Sequence, residues 1–420
     1  MHVAIAGGGI GGMTLALALL DAGIEDVDIY ESALTVKEVG LGINLQSHAV
    51  RELTELDLLD DLLEVGIPIA ELALYSKHGQ RIWSEPRGLA AGYRWPQVSI
   101  HRGQLLGLLY RAVLARLGPS RVHTGHHLAR FGQQDGAVWG EFADRATGTS
   151  VARVESDLLV GCDGIHSVVR RTLYPQEGSP HWNGITMWRG VTVAKPFLSG
   201  RTTIMAGHFE RRIVVYPISK HHEDQGRALI NWVAMFKTAA GQPMPRQDWN
   251  QTVRREEVLG PFASFVFDFL DVPALIRGAE TIYQYPMVDR EPLPTWDFGR
   301  VTLLGDAAHP MYPLAGNGGS QAIVDARTLA RELAVQPTLE AAVAAYDAVR
   351  RPVTAAVVLT SRQGGLGPIL DLVEERAPAG FTNLDDVISQ PELEAIADTF
   401  TRTTGADRER LNNRPSLSVR

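Results

Sequence analysis

The chain has 420 residues, more than one hydrophobic core normally organises, so its length predicts two domains. Hydrophobic residues make up 45% and charged residues 21%, which is typical of a globular protein rather than a disordered one. The net charge is -8 and Lys or Arg never occur in runs longer than a pair, which disfavours a nucleic-acid or anionic-membrane partner. The single cysteine, Cys162, excludes an intrachain disulfide and a cysteine metal cluster, and fits a reducing cytoplasm.

The apolar segments of the chain are not expected to enter a membrane. The stretch from Met1 to Leu20 lacks a basic start and is interrupted by five glycines, so we do not interpret it as a signal peptide. No later stretch offers the roughly 18 uninterrupted apolar residues that a spanning helix needs. We therefore expect a cytoplasmic protein that binds neither a membrane nor a nucleic acid.

The N-terminal region is predicted to contain a strand, a helix, a strand and a second helix. The apolar run at residues 2–6 ends at glycines, and residues 10–21 carry Leu, Ala and Met at helical spacing before Gly23. Residues 27–31 form the second strand, so this βαβ unit predicts a parallel sheet with a right-handed crossover. One further helix is expected over residues 48–65, because Leu recurs along one broad stripe.

The rest of the chain alternates between helical and extended segments. A leucine-rich helix is expected at 104–116 and a buried strand at 157–161. The extended runs between residues 182 and 283 predict an antiparallel sheet. A parallel-strand pattern resumes at 300–304, followed by a helix over about 320–334. Shorter strand-like runs are expected at 122–123, 137–143, 151–154, 184–193, 212–218 and 228–236.

These patterns predict one discontinuous nucleotide-binding domain with a mostly β domain inserted into it. The C-terminal residues 356–420 are expected to be helical, with a frayed polar end around Asn412, Asn413 and Pro415. The expected nucleotide-binding domain comprises residues 1–72, 98–181 and 284–355, and the inserted substrate domain comprises residues 73–97 and 182–283.

The segment Gly7–Gly12, which reads GGGIGG, satisfies the pattern GxGxxG between a strand and a helix. Glycines there permit a tight turn and let a pyrophosphate approach the backbone at the helix N-terminus. Glu31 ends the next strand, roughly 20 residues further on, where a carboxylate can accept a hydrogen bond from an adenosine ribose hydroxyl. This register predicts dinucleotide binding, and a purely structural glycine turn is the alternative.

Two further motifs follow apolar strands. Cys162–Arg170 contains D-G-x-x-S-x-x-R from Asp163 onward, and Gly305–His309 reads GDAAH before a glycine-rich loop at Gly316–Gly319. Each motif offers a carboxylate at a strand end, and the loop offers free amides at the start of a helix. Asp306 suits a ribityl hydroxyl, and the loop amides suit a flavin ring edge or its developing negative charge. For each motif alone, an Asx turn or a helix cap is the structural alternative.

In this order and spacing, the three motifs resemble those of the class A flavoprotein monooxygenases, the family of p-hydroxybenzoate and salicylate hydroxylases. The resemblance covers roughly residues 1–355. It implies an α/β fold, with a Rossmann-like FAD-binding domain of the p-hydroxybenzoate hydroxylase type, an inserted and mostly antiparallel β substrate domain, and C-terminal helices. The residues that it places at FAD are Gly7, Gly9, Ile10, Gly11, Gly12, Glu31, Ser32, Gly42, Ile43, Arg102, Leu128, Asp163, Asp306, Gly316, Asn317, Gly318 and Gly319.

The resemblance also implies a reaction. Noncovalent FAD is expected to be reduced by NADH or NADPH and to react with O2 to a C4a-hydroperoxide that hydroxylates an aromatic ring. The single GxGxxG leaves no second Rossmann domain for the nicotinamide, which is therefore expected to bind transiently. The alternatives are another flavoprotein oxidase or reductase, and a non-catalytic FAD-binding sensor. The sequence leaves monomer and homodimer open.

Four segments are more specifically similar to the phenazine hydroxylases of this family and imply a phenazine-like or carboxylated substrate, with decarboxylation as a possible further outcome. Some residues expected beside the flavin ring differ from the commoner pattern of the family, namely Gln46–Ala49, Asn317 and Ser320. The exact substrate is therefore left open. The four segments are Trp83–Gly88, Gly184–Val191, Tyr216–Ser219 and Gln284–Arg290.

No catalytic side chain is assigned, because the flavin would carry the chemistry. Strand alternation over Thr186–Arg189 separates Met187 and Arg189 from Thr186 and Trp188, without deciding which pair faces the substrate. Arg189 is a candidate partner for a substrate carboxylate. The candidate pocket residues are Tyr216, Arg189, Met187, His48 and Pro313.

The remaining conspicuous side chains are interpreted structurally. The pairs His126-His127 and His221-His222 are expected in strands, where neighbours point to opposite faces, so no metal is expected. His309 is expected to make a structural hydrogen bond beside the glycine-rich loop.

Overall fold

The computed structural model describes residues 1–36, 40–239, 241–245, 251–313, 316–403 and 407–419, and their side chains except those of 399–403. The strands are β1 (Val3–Ala6), β2 (Val27–Glu31), β3 (Gly42–Leu45), β4 (Ile67–Ile69), β5 (Glu71–Tyr75), β6 (Arg81–Pro86), β7 (Gln97–His101), β8 (Val122–Thr124), β9 (His127–Gln134), β10 (Ala137–Ala143), β11 (Ser150–Ser156), β12 (Leu158–Gly161), β13 (His181–Ala194), β14 (Thr202–His208), β15 (Arg211–Pro217), β16 (Ala228–Lys237), β17 (Val266–Phe267), β18 (Leu270–Asp271), β19 (Tyr283–Asp289) and β20 (Val301–Leu303). The α-helices are α1 (Ile10–Asp21), α2 (Ser47–Glu55), α3 (Leu59–Val65), α4 (Arg102–Leu117), α5 (Val168–Leu173), α6 (Lys220–Asp224), α7 (Arg255–Phe262), α8 (Val272–Gly278), α9 (Gly318–Val335), α10 (Leu339–Arg362), α11 (Gly367–Arg376), α12 (Gln390–Thr403) and α13 (Arg408–Asn413).

A five-stranded parallel sheet, in the order β20-β12-β1-β2-β8, carries the nucleotide-binding motifs. Every residue of β1 and β12 is buried, as expected for parallel strands covered on both faces. Helices α1, α4 and α9 supply apolar residues to the same core. Because all five strands run in the same direction, the three motifs and Glu31 follow strands that end at one edge of the sheet. This confirms the predicted α/β architecture.

The second large sheet has seven strands in the order β19-β13-β16-β15-β14-β5-β6. All its pairs are antiparallel except β14 with β5, which run parallel. Residues of α7 and α8 cover one face and share a core with Trp232 and Trp188. On the other face of the sheet, α11 packs against β5 and β14. The segment around Leu41 packs against β13 and β16 on the same face.

The sheet extends past the expected domain boundaries. Strand β5 begins at Glu71, before residue 73, and β19 runs to Asp289, beyond residue 283. Strand β19 pairs with β13, so Met187 lies opposite Tyr285. Strands β5 and β19 therefore cross the expected boundaries at residues 73 and 284.

Two smaller sheets complete the β structure. Strands β3, β7 and β4 form an antiparallel sheet in which Gly42 lies opposite His101. Strands β11, β10 and β9 form the other, and Leu128 of β9 is buried in the large core. Several strands are additional to the expected runs, among them β3, β7, β9, β14 and β19.

The single helix expected over residues 48–65 is wrong. The segment forms α2 and α3, separated at Asp57, whose φ is 56°. An α-helix cannot continue through a left-handed residue, and Asp tolerates that conformation better than most side chains. The leucine stripe therefore belongs to two helices, and α2 carries His48 in its first turn.

The expected frayed C-terminus is also wrong for the described residues. Residues 407–419, which we call the C-terminal strap, return to α2 and α9. Arg51 donates to the carbonyl oxygens of Leu411 and Arg414, at 2.9 and 2.8 Å. Arg327 of α9 donates to the Ser418 hydroxyl at 2.6 Å. In the described part of the chain, no helix has both the length and the apolar character needed to cross a membrane.

Candidate active site

The glycine segment after β1 makes the sharpest turn at the carboxyl edge of the parallel sheet. Gly7 has a φ of 113°, which favours glycine, and a Cβ on Gly12 would overlap the carbonyl oxygen of Gly7. Gly9 is different, because no atom lies within 4 Å of the position that its Cβ would occupy. No side chain caps the N-terminus of α1. The turn therefore leaves open space in front of uncapped backbone amides.

The Glu31 carboxylate lies directly against this turn. The backbone amide of Gly8 donates to Oε2 of Glu31 at 2.8 Å, and the amide of Ala33 donates to Oε1 at 2.7 Å. The Ser32 hydroxyl also donates to Oε1, at 3.1 Å. These three donors hold a half-buried carboxylate at the mouth of the glycine turn.

The second motif places the half-buried carboxylate of Asp163 after β12. Oδ2 of Asp163 accepts from the amides of Val168 and Val169, at 2.6 and 3.3 Å, so it caps the start of α5. Oδ1 of Asp163 is buried and has no hydrogen-bond partner among the described residues. Burial raises the pKa of Asp163. An unsatisfied buried acceptor needs a donor from elsewhere.

The third motif brings the C-terminal part of the domain to the same edge. Asp306 is exposed, and its Oδ1 lies 3.7 Å from the position that a Cβ on Gly318 would take. Helix α9 begins at Gly318 with no side-chain cap from Asn317. A Cβ on Gly319 would lie 2.8 Å from Cδ1 of Ile43. The loop from Pro313 to Gly319 is expected at the flavin, but its residues 314 and 315 lie outside the described residues.

The other expected cofactor residues are spread around these motifs. Arg102 begins α4, its side chain is exposed, and its backbone amide donates to Leu41 at 2.8 Å. Ile10 lies at the start of α1, 4.0 Å from the Cβ position of Gly319. Gly316 has a φ of 57° and faces Asn44. Leu128 is buried in the core behind the sheet edge.

The arrangement fits FAD on structural grounds. An elongated dinucleotide needs a phosphate cradle, a ribose acceptor and a ring site along one line, and consecutive strand ends provide such a line. Gly9 leaves the cradle open, α1 and α9 present uncapped N-termini, and Oδ1 of Asp163 awaits a donor.

The structure shows which face of β13 meets this edge. Met187 packs with Leu41 and Tyr285, and Arg189 donates from Nη2 to the carbonyl oxygen of Gly42 at 2.8 Å. Trp188 points the other way and stacks on Phe236 at 5.6 Å. Met187 and Arg189 therefore face the loop that carries Gly42.

Tyr216 and Asn231 reach the same peptide. The Tyr216 hydroxyl donates to the Gly42 oxygen at 3.1 Å, and the Gly42 amide donates to Oδ1 of Asn231 at 2.7 Å. Burial raises the pKa of Tyr216, so its hydroxyl remains a donor at neutral pH. Sequence reasoning missed Asn231, although an amide within the apolar run of β16 signals a buried polar contact.

His48 and Pro313 occupy different environments. His48 is buried in α2, and burial, followed by the charges of Arg350 and Arg414, lowers its pKa to about 3. A cavity of about 10 Å³, the size of one water molecule, lies beside it and is also lined by Arg87, Tyr93 and Gln97. Pro313 is exposed at the end of the described loop.

A buried polar chain behind α9 was not anticipated. Asp325 accepts from Nε of Arg350 at 2.7 Å and also pairs with Nε2 of His309, which is the structural bond expected of that histidine. Burial alone would raise the pKa of Asp325, but His309 and Arg350 outweigh it and lower that pKa. Two charged residues within apolar helix faces are the sequence signal for such a pair.

The histidine pairs do not form a shared site in the described chain. His126 bonds through Nδ1 to the carbonyl oxygen of Thr124, whereas His221 and His222 lie in α6 rather than in a strand. His2, Asp26 and Asp28 bring ligand-type atoms within 4.8 Å of one another. Arg121 bonds to both of these carboxylates, at 2.9 and 3.1 Å, so a cationic side chain already occupies the position between them.

Comparison with known proteins agrees with this geometry. The chain matches the family described as FAD binding domain over residues 1–361. It is 44% identical to phenazine 1,6-dicarboxylic acid hydroxylase PhzS of Lysobacter antibioticus, covering 86% of this chain and 89% of that protein. It is 36% identical to aurachin C monooxygenase/isomerase of Stigmatella aurantiaca, covering 83% and 85%. Klebsiella pneumoniae HpxO, solved with FAD and uric acid, superposes with a TM-score of 0.73 at 24% identity, covering 95% of this chain and 96% of that one.

The chain belongs to this FAD-binding family. It is an FAD-dependent monooxygenase of the aromatic-hydroxylase type. The resemblance inferred from the three motifs is thereby confirmed, and the oxidase, reductase and sensor alternatives lose their support.

Proposed function

We propose that the enzyme hydroxylates a phenazine-like, N-heteroaromatic ring system held beside the point where the seven-stranded sheet contacts the start of β3 at Gly42. The observation that carries this proposal is the buried cluster of Leu41, Met187, Met235 and Tyr285, which lies directly beside the Gly42 peptide. A mostly apolar wall with a few placed polar groups suits a flat ring system. The relative named for phenazine 1,6-dicarboxylic acid supports the same substrate class.

FAD is assigned to the carboxyl edge of the parallel sheet. The open turn at Gly9 and the N-terminus of α1 would receive the pyrophosphate, and Glu31 would accept from the adenosine ribose. Asp306 would bind the ribityl chain, and the amides that begin α9 would face the ring. The other residues assigned to FAD are Gly7, Ile10, Gly11, Gly12, Ser32, Gly42, Ile43, Arg102, Leu128, Asp163, Gly316, Asn317, Gly318 and Gly319.

The chemistry that FAD supplies when bound is hydride acceptance from NADH or NADPH and activation of O2. The balanced reaction converts a ring C–H, O2, NAD(P)H and a proton into a ring hydroxyl, water and NAD(P)+. The chain's own residues orient the ring and exclude water, because Met187 and Tyr285 bury the space beside Gly42. Tyr216, Arg189, Met187, His48 and Pro313 remain the proposed pocket residues.

The seven-stranded sheet with α6, α7 and α8 is proposed as the substrate domain, and the parallel sheet as the FAD domain. The C-terminal helices would brace both. We propose that the enzyme acts in the cytoplasm as a monomer or homodimer, which light scattering of the purified protein would distinguish.

A substrate screen tests the proposed function. Phenazines, quinolines, salicylates and hydroxybenzoates would be compared for stimulated NAD(P)H consumption and for product mass under isotopically labelled O2. We expect the largest stimulation from a phenazine, with one labelled oxygen atom in the product. Stimulation by salicylate or hydroxybenzoate alone would contradict the substrate class, and NAD(P)H consumption without labelled product would contradict hydroxylation.

A further inference from the structure

The GDAAH segment is held at both of its ends by one carboxylate of α9. Oδ2 of Asp325 accepts from the backbone amide of Gly305 at 3.2 Å and also pairs with Nε2 of His309. Gly305 and His309 are the first and last residues of the segment, and Asp306 lies between them. Asp325 therefore fixes both ends of the backbone that carries Asp306.

Asp306 is the exposed residue of this segment, whereas the other four residues are buried. The peptides that follow it are held as well, because the carbonyl oxygens of Ala307 and Ala308 accept from Nη1 of Arg170, at 3.2 and 2.7 Å. Oδ1 of Asp306 lies 3.7 Å from the position that a Cβ on Gly318 would take, at the start of α9. The carboxylate assigned to the ribityl chain is thus carried by backbone that is anchored before and after it.

Asp325 is itself held in a charged state. It is fully buried, and Nε of Arg350 from α10 donates to its Oδ1 at 2.7 Å, which leaves Oδ2 for the turn. Burial alone would raise the pKa of Asp325, but His309 and Arg350 outweigh it and lower that pKa. Burying a carboxylate is costly even when it is paired, and an apolar side chain of similar volume is often no less stable. The charge at this position therefore serves the contacts that it makes rather than the packing of α9.

We propose that Asp325 is a positioning residue for FAD, which sets the place of the Asp306 carboxylate by holding Gly305 and His309. Hydrogen bonds weaken steeply as their distance and angle depart from the ideal. A turn that is fixed in advance also binds a ligand without a further loss of conformational entropy. This inference rests on the proposed contact between Asp306 and the ribityl chain, and it adds a residue buried behind that contact.

A double-mutant cycle tests the inference. FAD dissociation constants would be measured by titration of the apoprotein for wild type, Asp325→Asn, Asp306→Ala and the double variant. Asparagine keeps the shape of the side chain and removes its charge. We expect Asp325→Asn to raise the dissociation constant by about 10-fold when Asp306 is present. In the Asp306→Ala background the increase should be less than about twofold, because the contact that Asp325 positions is already absent.

Glu52→Gln is the matched control for the loss of a buried charge. Glu52 is also fully buried and pairs with an arginine, but it lies in α2. Thermal midpoints of the apoproteins would be recorded beside the FAD titrations. Whatever its effect on the midpoint, Glu52→Gln should leave the FAD dissociation constant unchanged. A merely structural Asp325 would behave in the same way, with a changed midpoint and no loss of FAD affinity that depends on Asp306.

His309 supplies a milder test, which also decides the matter if Asp325→Asn does not fold. His309→Leu removes one of the two contacts with the turn and leaves Asp325 paired with Arg350. His309→Gln keeps an N–H donor that can reach the same carboxylate. We expect His309→Leu to weaken FAD binding only when Asp306 is present, and His309→Gln to retain most of the wild-type affinity.

The outcomes distinguish this inference from the proposed function. Equal losses of FAD affinity with and without the Asp306 side chain would overturn the positioning role of Asp325, while the ribityl contact stands. Unchanged FAD affinity in a folded Asp325→Asn protein would overturn that role too, as would equal affinities of His309→Leu and His309→Gln. If Asp306→Ala alone binds FAD like wild type, the ribityl contact of the proposed function fails and this inference fails with it.

Discussion

Arg350 donates from Nη2 to the side-chain oxygen of Gln321 at 2.6 Å, and this bond orients the Gln321 amide nitrogen toward His48 on another helix. Because guanidinium can only donate, the atom of Gln321 that faces it must be the oxygen. The amide nitrogen of Gln321 then lies 3.5 Å from Nε2 of His48 and 3.3 Å from Oδ1 of Asn317. Burial and the charges of Arg350 and Arg414 lower the pKa of His48 and outweigh a side-chain hydrogen bond with Asn317 that raises it, so the folded protein favours the neutral ring.

The neutral state of His48 predicts a specific loss of stability in acid. Burial first, and then Arg350 and Arg414, lower the pKa of His48 from 6.5 to about 3. Between these values the unfolded chain binds a proton that the folded chain does not, so stability falls as the pH falls through this window. His48→Gln should remove this dependence and recover about 2 kcal/mol of the difference between pH 7 and pH 5.

Urea unfolding of the FAD-loaded protein at the two pH values measures the effect. His221→Gln, at an exposed position of α6, is the control and should leave the pH dependence as in wild type. An unchanged acid dependence in His48→Gln would show that His48 is already charged in the folded protein.

The glycine turn offers a matched pair of alanine substitutions. Gly12→Ala forces a Cβ onto the carbonyl oxygen of Gly7, so it should lower the thermal midpoint of the apoprotein. Gly9→Ala meets no protein atom and has a permitted φ of -78°, so the apoprotein should retain its midpoint. If the open space holds the pyrophosphate, Gly9→Ala should nevertheless lose FAD affinity.

Calorimetry of the apoproteins and FAD titration separate the two glycines. An apoprotein midpoint that falls equally in both variants would mean that the space at Gly9 is structural. Full FAD affinity in Gly9→Ala would remove the pyrophosphate from this turn.

Glu31 should contribute to FAD affinity through charge-assisted hydrogen bonds. Its carboxylate already accepts from the Gly8 amide at 2.8 Å, which aims it at the turn. A bond between a ribose hydroxyl and this carboxylate contributes about 1.5–3 kcal/mol, so Glu31→Ala should raise the FAD dissociation constant by about 10- to 100-fold. Glu25→Ala, exposed in the loop before β2, is the control for charge alone. Equal FAD titration curves for wild type and Glu31→Ala would place the ribose elsewhere.

Local patterns predicted the motif-bearing part of the fold and not the contacts between distant segments. The strand that ends at Glu31 and the turn at Asp163 were predicted from apolar runs. Each run is followed by a short motif that specifies a single turn. The helix expected over residues 48–65 is interrupted at Asp57, which has a left-handed backbone conformation. The stripe of leucines gave no sign of this single residue. The bond between Arg350 and Gln321 joins two helices, and no short pattern contains both partners.

The same limit applies to the substrate sheet and the C-terminus. Sequence alternation placed Met187 and Arg189 on one face but did not identify that face, because its choice depends on the loop at Gly42, far away in the chain. Arg51 and Leu411 are 360 residues apart, so no local sequence pattern could predict their hydrogen bond. The C-terminal strap is polar and has no apolar periodicity, so its sequence predicted a frayed end. Its contacts with the buried side chains of Arg51 and Arg327 became visible only in the structure.

The C-terminal strap should stabilise the domain through one buried charge. Glu52 of α2 is fully buried and pairs with Arg414 of the strap, while Nε of Arg327 lies 3.6 Å from its other oxygen. Burial raises the pKa of Glu52, and Arg414 is the largest influence that opposes this rise. Removing Arg414 leaves the buried Glu52 with only the longer contact to Arg327, so Arg414→Ala should cost about 3 kcal/mol of the free energy of unfolding.

A second substitution distinguishes the lost charge compensation from a general loosening of the strap. Glu52→Gln in the Arg414→Ala background removes the stranded charge, so the double variant should be more stable than Arg414→Ala alone. Arg376→Ala is the control, because Arg376 and Glu392 form a pair at 2.7 Å in which both side chains are more than a third exposed. Solvent screens that exposed pair, so Arg376→Ala should change the free energy of unfolding much less than Arg414→Ala does. Urea unfolding would be measured for the wild type, Arg414→Ala, the double variant and Arg376→Ala. If the double variant is no more stable than Arg414→Ala, the strap stabilises the protein through its backbone contacts with Arg51 and not through Glu52.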